Sequence, residues 1–209
     1  MNDSMRQDAI SRVGITIAID GPAGSGKSTV SKALAARLRI GYLDTGAMYR
    51  ALTWYCLDRG IDLADKAAVA AAANEMPLRL VSDPSDPHVW VGEREITEEI
   101  REPRIALEIK HVSTNLDVRA WMAAEQRRRM MEAREQGSGM IAEGRDITTV
   151  VCPDALVCSS RSRIVVPAAE WRAPVGSSAK STTGSVRRAR AMAARCCSPP
   201  EACCGPRCM

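Results

Sequence analysis

Phenylalanine is absent from this chain of 209 residues, and all aromatic residues together make up 3% of it. A core must therefore be built from Ala, Val, Leu, Ile and Met. No apolar run reaches the ~18 residues of a membrane-spanning helix, so none is expected. Residues 1–12 are polar and mixed in charge, without the apolar stretch of a signal peptide, and the expected location is the cytoplasm. Histidine occurs only at His88 and His111, which stand alone and are assigned no role. Asparagine occurs only as Asn2, Asn74 and Asn115, none followed by Lys, so the Asn-Lys-x-Asp element of a guanine-binding GTPase is missing. The four Trp residues do not cluster with basic residues, as a stacking platform for RNA would require.

What is present is uneven. Hydrophobic residues make up 45% and charged residues 26%, ordinary for a soluble globular protein long enough for one α/β domain. The net charge of +4 hides two different compositions. Residues 156–209 hold nine Lys/Arg, two acids (Glu170 and Glu201) and no Asp, whereas residues 1–155 hold 20 basic and 23 acidic residues. Five of eight cysteines lie at positions 196, 197, 203, 204 and 208, a spacing that does not make paired CxxC zinc knuckles. The basic tail is the only feature in favour of a nucleic-acid-binding protein; no nucleic-acid partner and no membrane association are expected.

The pattern from residue 14 onward alternates strand and helix. Residues 14–20 form a β-branched run apolar on both faces, as in a buried parallel strand. A Gly-rich turn follows, then helical spacing over 27–38, a short apolar strand over 40–43 and a helix over 45–59. An Ala-rich helix at 66–76 ends at Pro77. Apolar runs at 78–81 and 89–91, separated by a loop rich in Ser, Asp and Pro, predict a hairpin. A broken helical pair is expected over 97–100 and 103–113, and a long basic helix over 116–136. Arg127-Arg128-Arg129 within it reads as a solvated face, flanked by Glu125 and Glu132. Apolar segments at 140–142 and 149–151 flank a turn at 143–146. Short strands over 156–158 and 164–166 are possible, and no periodicity continues beyond 167.

Gly21-Pro22-Ala23-Gly24-Ser25-Gly26-Lys27-Ser28 fits G-x-x-x-x-G-K-[ST] without a mismatch, with Thr29 next in the helix. The glycines let successive N–H groups face one centre, and the helix start adds its positive end. Lys27 is expected to reach the β- and γ-phosphates of ATP, and the Ser28 hydroxyl to bind Mg²⁺. A short P-loop chain without a guanine-reading element points to a small-molecule kinase, which needs a second anion site made of arginines. Arg50, in Asp44-Thr45-Gly46-Ala47-Met48-Tyr49-Arg50, and Arg145, in Glu143-Gly144-Arg145-Asp146, follow predicted strands, where open α/β sheets bind ligands.

These three segments, with Thr149-Val150-Val151, resemble bacterial cytidylate (CMP) kinases continuously from about residue 13 to 155. The resemblance implies transfer of a phosphoryl group from ATP to CMP or dCMP with Mg²⁺. It implies that Thr45, Arg50 and Arg145 hold the acceptor's phosphate, that Arg119 and Asp146 read the cytosine, and that Lys27 and Arg145 are the catalytic cations. It also matches the 78–91 hairpin to a monophosphate-binding insertion at about 62–112. A serine that helps hold the base in that family aligns with Lys110. The expected architecture is thus a P-loop NTPase fold: a parallel sheet flanked by helices, with a small antiparallel insertion.

Three segments are expected: an N-terminal extension at 1–12, a kinase core at 13–155, and a divergent segment at 156–209. The family's later helix, lid arginines and D-R-D-type cluster are not recognisable in that last segment. It is expected to be disordered or an out-of-frame product of a GC-rich gene. The functional readings left open are a CMP/dCMP kinase acting as a monomer, a nucleotide-binding remnant without a lid, and a P-loop kinase for UMP or dTMP.

Overall fold

The computed structural model describes residues 14–153 and 155, together with the backbone of residues 157–160 and 163–165. The extension at 1–12, the cysteine cluster and the segment from 167 onward lie outside the described residues.

The central sheet contains β1 (Thr16–Asp20), β2 (Gly41–Asp44), β6 (Met140–Gly144), β7 (Val157–Ser160) and β8 (Arg163–Val165), in the order β2-β6-β1-β7-β8. The first four strands are parallel. β8 pairs antiparallel with β7, so the sheet is not parallel throughout. Parallel strands need crossover connections, and the intervening helices supply them. Alternation along the strands divides the core. Ile17, Ile19, Tyr42 and Ile141 face α1 (Lys27–Leu38) and meet its buried Ala35. Ala18, Leu43 and Ala142 face the larger cluster on the opposite side. With no Phe to fill it, that cluster is built on Met48, Leu52, Met122 and Met130, all fully buried.

On that side α2 (Thr45–Asp58) starts directly from β2, capped by the Asp44 carboxylate, which accepts from the Ala47 N–H at 2.9 Å. α3 (Lys66–Glu75) is capped by Asp65. α4 (Pro103–Ser113) begins on Pro103 after a single 3₁₀ turn at Glu99–Arg101. α5 (Leu116–Glu135) buries Val118, Met122, Gln126, Met130 and Ala133, one stripe at three- and four-residue spacing. Its cap, Asn115, also donates to the Lys66 carbonyl at 2.8 Å, joining the starts of α3 and α5.

The expected hairpin is present and has a third strand. β3 (Leu78–Leu80), β4 (Val89–Val91) and β5 (Arg94–Glu95) form an antiparallel sheet. β5 is two exposed, charged residues, which no apolar pattern marks. The loop between β3 and β4 docks on the edge strand β2, where the Tyr42 N–H donates to the Ser82 carbonyl at 2.9 Å. That contact covers part of an otherwise unpaired edge. The expected turn at 143–146 also starts later: Glu143 and Gly144 complete β6 and pair with β1. The apolar 149–151 belongs to a π-helical turn, Ile147–Val151. Within the basic run, Arg128 pairs with Glu125 and Glu132, Arg129 pairs with Glu125 at 2.7 Å, and Arg127 donates to the Val151 carbonyl at 3.0 Å. Among the described residues no helix is long and apolar enough to cross a membrane.

Candidate active site at the strand ends

The C-terminal ends of β1, β2 and β6 open into one cleft of about 770 Å³. Each strand delivers a different group there.

β1 ends at Asp20 and runs into the glycine-rich turn. Gly24 and Gly26 adopt φ of 72° and 81°, a region that residues with a Cβ rarely enter. Gly26 sits at the start of α1 with no side chain capping the helix. Among the described residues the N–H groups of Ala23, Gly24 and Gly26 have no partner. Free amides at an uncapped helix start form a site for an anion. Gly21, Pro22 and Ser25 shape the turn: the Gly21 N–H donates to the Gly144 carbonyl at 3.2 Å, and the Ser25 N–H to the Pro22 carbonyl at 3.4 Å. The Lys27 ammonium folds over the loop and donates to the Pro22 carbonyl at 2.9 Å. Ser28 donates to Glu143 Oε1 at 2.5 Å. Thr29 is exposed on the next turn of α1.

β2 ends in Asp44 and Thr45. The Asp44 carboxylate pairs with the Arg50 guanidinium at 2.8 Å, which holds Arg50 at the mouth of the cleft. Thr45 is 4% exposed, and its hydroxyl donates to the Glu143 carbonyl at 2.7 Å. Gly144 is required beside it, because a Cβ there would lie 2.4 Å from the Thr45 Oγ1.

β6 delivers Glu143, Arg145 and Asp146. Arg145 is exposed, lines the cleft and has no ion-pair partner among the described residues. Asp146 pairs with Arg119 from the first turn of α5 at 2.6 Å, with both side chains nearly half exposed. Tyr49 borders this pair, and burial raises its phenol above the ordinary value, with Arg119 opposing the shift and Asp146 adding to it. The π-helical turn that follows is tied to β1: the Asp20 carboxylate accepts from the Ile147 N–H at 2.8 Å, the Thr148 N–H at 2.9 Å and the Thr148 hydroxyl.

Of the residues proposed from sequence, Ala23, Gly24, Lys27, Ser28, Thr45, Arg50, Arg119, Arg145 and Asp146 line this cleft, Gly21, Pro22, Ser25 and Gly26 lie in the loop beside it, and Thr29 lies on α1 outside it. Sequence reasoning missed four others. Asp20 and Tyr42 support the loop and β6 from within the sheet. Gln126 borders the cleft from α5, 2% exposed, with an amide nitrogen that has no partner. Glu143 was quoted in a motif and given no role, although an acid closing an apolar strand beside a P-loop is a legible signal. Lys110 also lines the cleft, so the departure at that position faces the site.

An uncapped P-loop helix start facing an arginine-bearing second wall, on a mainly parallel sheet, defines a P-loop NTPase fold with basic side chains on two walls of one cleft. The sequence profile of the cytidylate kinase family matches residues 17–159, and the chain belongs to that family. It is 42% identical over 141 residues to a cytidylate kinase of Streptomyces avermitilis, an alignment covering 68% of this chain and 60% of that protein. It is 44% identical over 142 residues to the cytidylate kinase of Corynebacterium glutamicum, again covering 68% and 60%. A bifunctional pantoate ligase/cytidylate kinase of a Synechococcus strain is 46% identical over 142 residues, 66% of this chain and 27% of that protein. The chain thus spans about three fifths of the length of the cytidylate kinases it matches.

Proposed function

We propose that this protein transfers the γ-phosphoryl group of ATP to CMP or dCMP. The observation that supports the reading is that one residue, Glu143, holds a side chain from each of the two proposed phosphate sites. Glu143 holds the P-loop Ser28 through its side chain and Thr45 through its main chain.

The loop amides and Lys27 take the β- and γ-phosphates of ATP. Thr45, Arg50 and Arg145 hold the acceptor's phosphate opposite them. Arg119 and Asp146 face the base: cytosine offers an N4 donor suited to a carboxylate, and N3 and O2 acceptors suited to a guanidinium. The acceptor phosphate is largely dianionic at neutral pH, its second pKa being about 6, so no general base is needed. Its oxygen forms a bond to the γ-phosphorus as the bond from the β–γ bridging oxygen breaks, and ADP leaves with that oxygen. Positioning and charge neutralisation by Lys27 and Arg145 then supply the catalysis.

The residues present fit Mg²⁺. Ser28 offers a hydroxyl, and Glu143 Oε2 is a buried oxygen without a partner. Among the described residues no group of three or more His, Cys, Asp or Glu side chains could hold a metal alone, so the cation would share its ligands with phosphate. When bound, Mg²⁺ supplies charge neutralisation between the β- and γ-phosphates. We read the chain as a monomer acting in the cytoplasm, which size-exclusion chromatography and fractionation of cells would check.

The test is an ADP-coupled assay with CMP, dCMP, UMP and dTMP as acceptors. Turnover with CMP and dCMP well above UMP and dTMP supports the reading. Folded protein that binds ATP without turnover would leave only a nucleotide-binding remnant.

A further inference from the structure

Strand alternation places Tyr42 on β2 and Glu143 on β6 on the sheet face that α1 covers. Ser28 in the first turn of α1 lies directly against them. Glu143 Oε1 accepts the Ser28 hydroxyl at 2.5 Å and the Tyr42 hydroxyl at 2.8 Å. Tyr42 and Glu143 are each 3% exposed. Glu143 Oε2 is fully buried with no partner, although the residue borders the cleft. A buried carboxylate oxygen is costly unless it is paired, so its partner is expected to arrive with a ligand. A hydroxyl has one hydrogen and two lone pairs. With its hydrogen committed to Glu143, Ser28 keeps both lone pairs free of that bond.

We infer that Tyr42 is a positioning residue for the metal of the donor nucleotide, acting through Glu143, the acid that P-loop domains set beside the loop hydroxyl. By holding Glu143 Oε1, Tyr42 keeps the Ser28 hydrogen committed to that oxygen, the serine lone pairs available to Mg²⁺, and Glu143 Oε2 without a partner among the described residues. Tyr42 holds the same carboxylate oxygen that accepts from Ser28. Its phenol stays protonated, because burial first, then the Asp44 and Glu143 carboxylates, push it far above the ordinary value. The ring also packs with Ile17, Ile19, Ala35 and Ile141, and the Lys32 ammonium lies 5.6 Å from its centroid. Tyr42→Phe keeps that packing and removes only the hydroxyl. The inference rests on the ATP-dependent reading above and adds to it a role for one side chain, Tyr42, which does not line the cleft.

The experiment is calorimetric titration of the full chain with ATP, at varied Mg²⁺ and in EDTA, for the parent, Tyr42→Phe, Glu143→Gln, Ser28→Ala and Tyr42→Phe/Ser28→Ala. Tyr42→Phe is expected to raise the Mg²⁺ concentration for half-maximal ATP binding by about three- to tenfold. Glu143→Gln is expected to raise it by roughly 10- to 100-fold, as for other groups that orient a metal ligand. ATP affinity in EDTA should change by less than about twofold, and Tyr42→Phe should add less than about twofold in the Ser28→Ala background. The inference is overturned if Tyr42→Phe weakens ATP binding equally with and without Mg²⁺, changes neither, or is fully additive with Ser28→Ala. If Glu143→Gln does not fold, Tyr42→Phe and the double variant decide. The readout is donor binding, so failure to phosphorylate CMP would sink the kinase reading without touching this result. If the parent binds ATP with no Mg²⁺ dependence, this inference falls and the coupled assay still judges the kinase reading.

Discussion

Gly144→Ala tests whether the acceptor site depends on close packing at the end of β6. The added Cβ would lie 2.4 Å from the Thr45 Oγ1 and 2.9 Å from two carbons of Ile147. Neither neighbour yields easily. Thr45 is 4% exposed and bonded to the Glu143 carbonyl, and Ile147 is 2% exposed in the core. Forcing an extra carbon into such a site costs about 1–3 kcal/mol. Displacing the Thr45 hydroxyl from its acceptor costs about 1 kcal/mol more. The total of roughly 2–4 kcal/mol should lower Tm by about 4–16 °C for a chain of this size. Because Thr45 is proposed to hold the acceptor's phosphate, the KM for CMP should rise at least about tenfold, an energy near 1.4 kcal/mol. ATP affinity should change much less, since the Gly21 N–H to Gly144 carbonyl bond is made by the main chain and survives. Gly60→Ala is the control. Gly60 has φ of +67° at the end of α2 with no atom within 4 Å of an added Cβ, so it carries only backbone strain, about 1–2 kcal/mol, and no change in KM. Differential scanning fluorimetry and steady-state kinetics read both variants. An unchanged Tm and CMP KM for Gly144→Ala would refute the reasoning.

The Arg119–Asp146 pair should read the base, so Arg119→Met is expected to raise the CMP KM by roughly 10- to 100-fold with little effect on ATP, the scale of one charge-assisted hydrogen bond; equal losses for both substrates would contradict that role. Asp20→Ala removes the acceptor for three donors at Ile147 and Thr148, and should speed hydrogen exchange at those two amides by about tenfold or more while β6 amides stay protected. Burial pushes the Cys56 thiol from an ordinary 9.0 up to about 11. The unfolded chain therefore releases that proton first, and folded stability should fall as pH rises from about 9 to about 11. Denaturant titrations of the parent and Cys56→Ala over that range should show a shallower decline in the variant.

Local signals carried much of the fold because local physics made it. Gly24 and Gly26 sit where the chain turns through positive φ, and the Ala23, Gly24 and Gly26 amides have no partner among the described residues, with no side chain capping the helix start. Asp44 and Asn115 cap α2 and α5 as short acceptors at helix starts do. β5 was invisible because two charged residues hold their place through pairing to β4 rather than through any apolar pattern of their own. The end of β6 was placed too early because Glu143 and Gly144 look like turn residues. Their strand geometry is imposed by pairing with β1 and by the main-chain bond to Gly21.

By itself, the sequence determined the P-loop, its strand–helix frame and the arginines proposed for a second anion site. Those depend on contacts within a few residues, where the order of Gly, Lys and Ser settles the backbone. Only the tertiary structure decided what joins the two halves. Ser28 meets Glu143 across 115 positions, Asp20 meets Ile147 across 127, and Tyr42 meets Glu143 across 101. No periodicity encodes such pairings. They follow from the sheet order β2-β6-β1, which sets the ends of three distant strands side by side and lets one residue, Glu143, hold Ser28 through its carboxylate and Thr45 through its main-chain carbonyl.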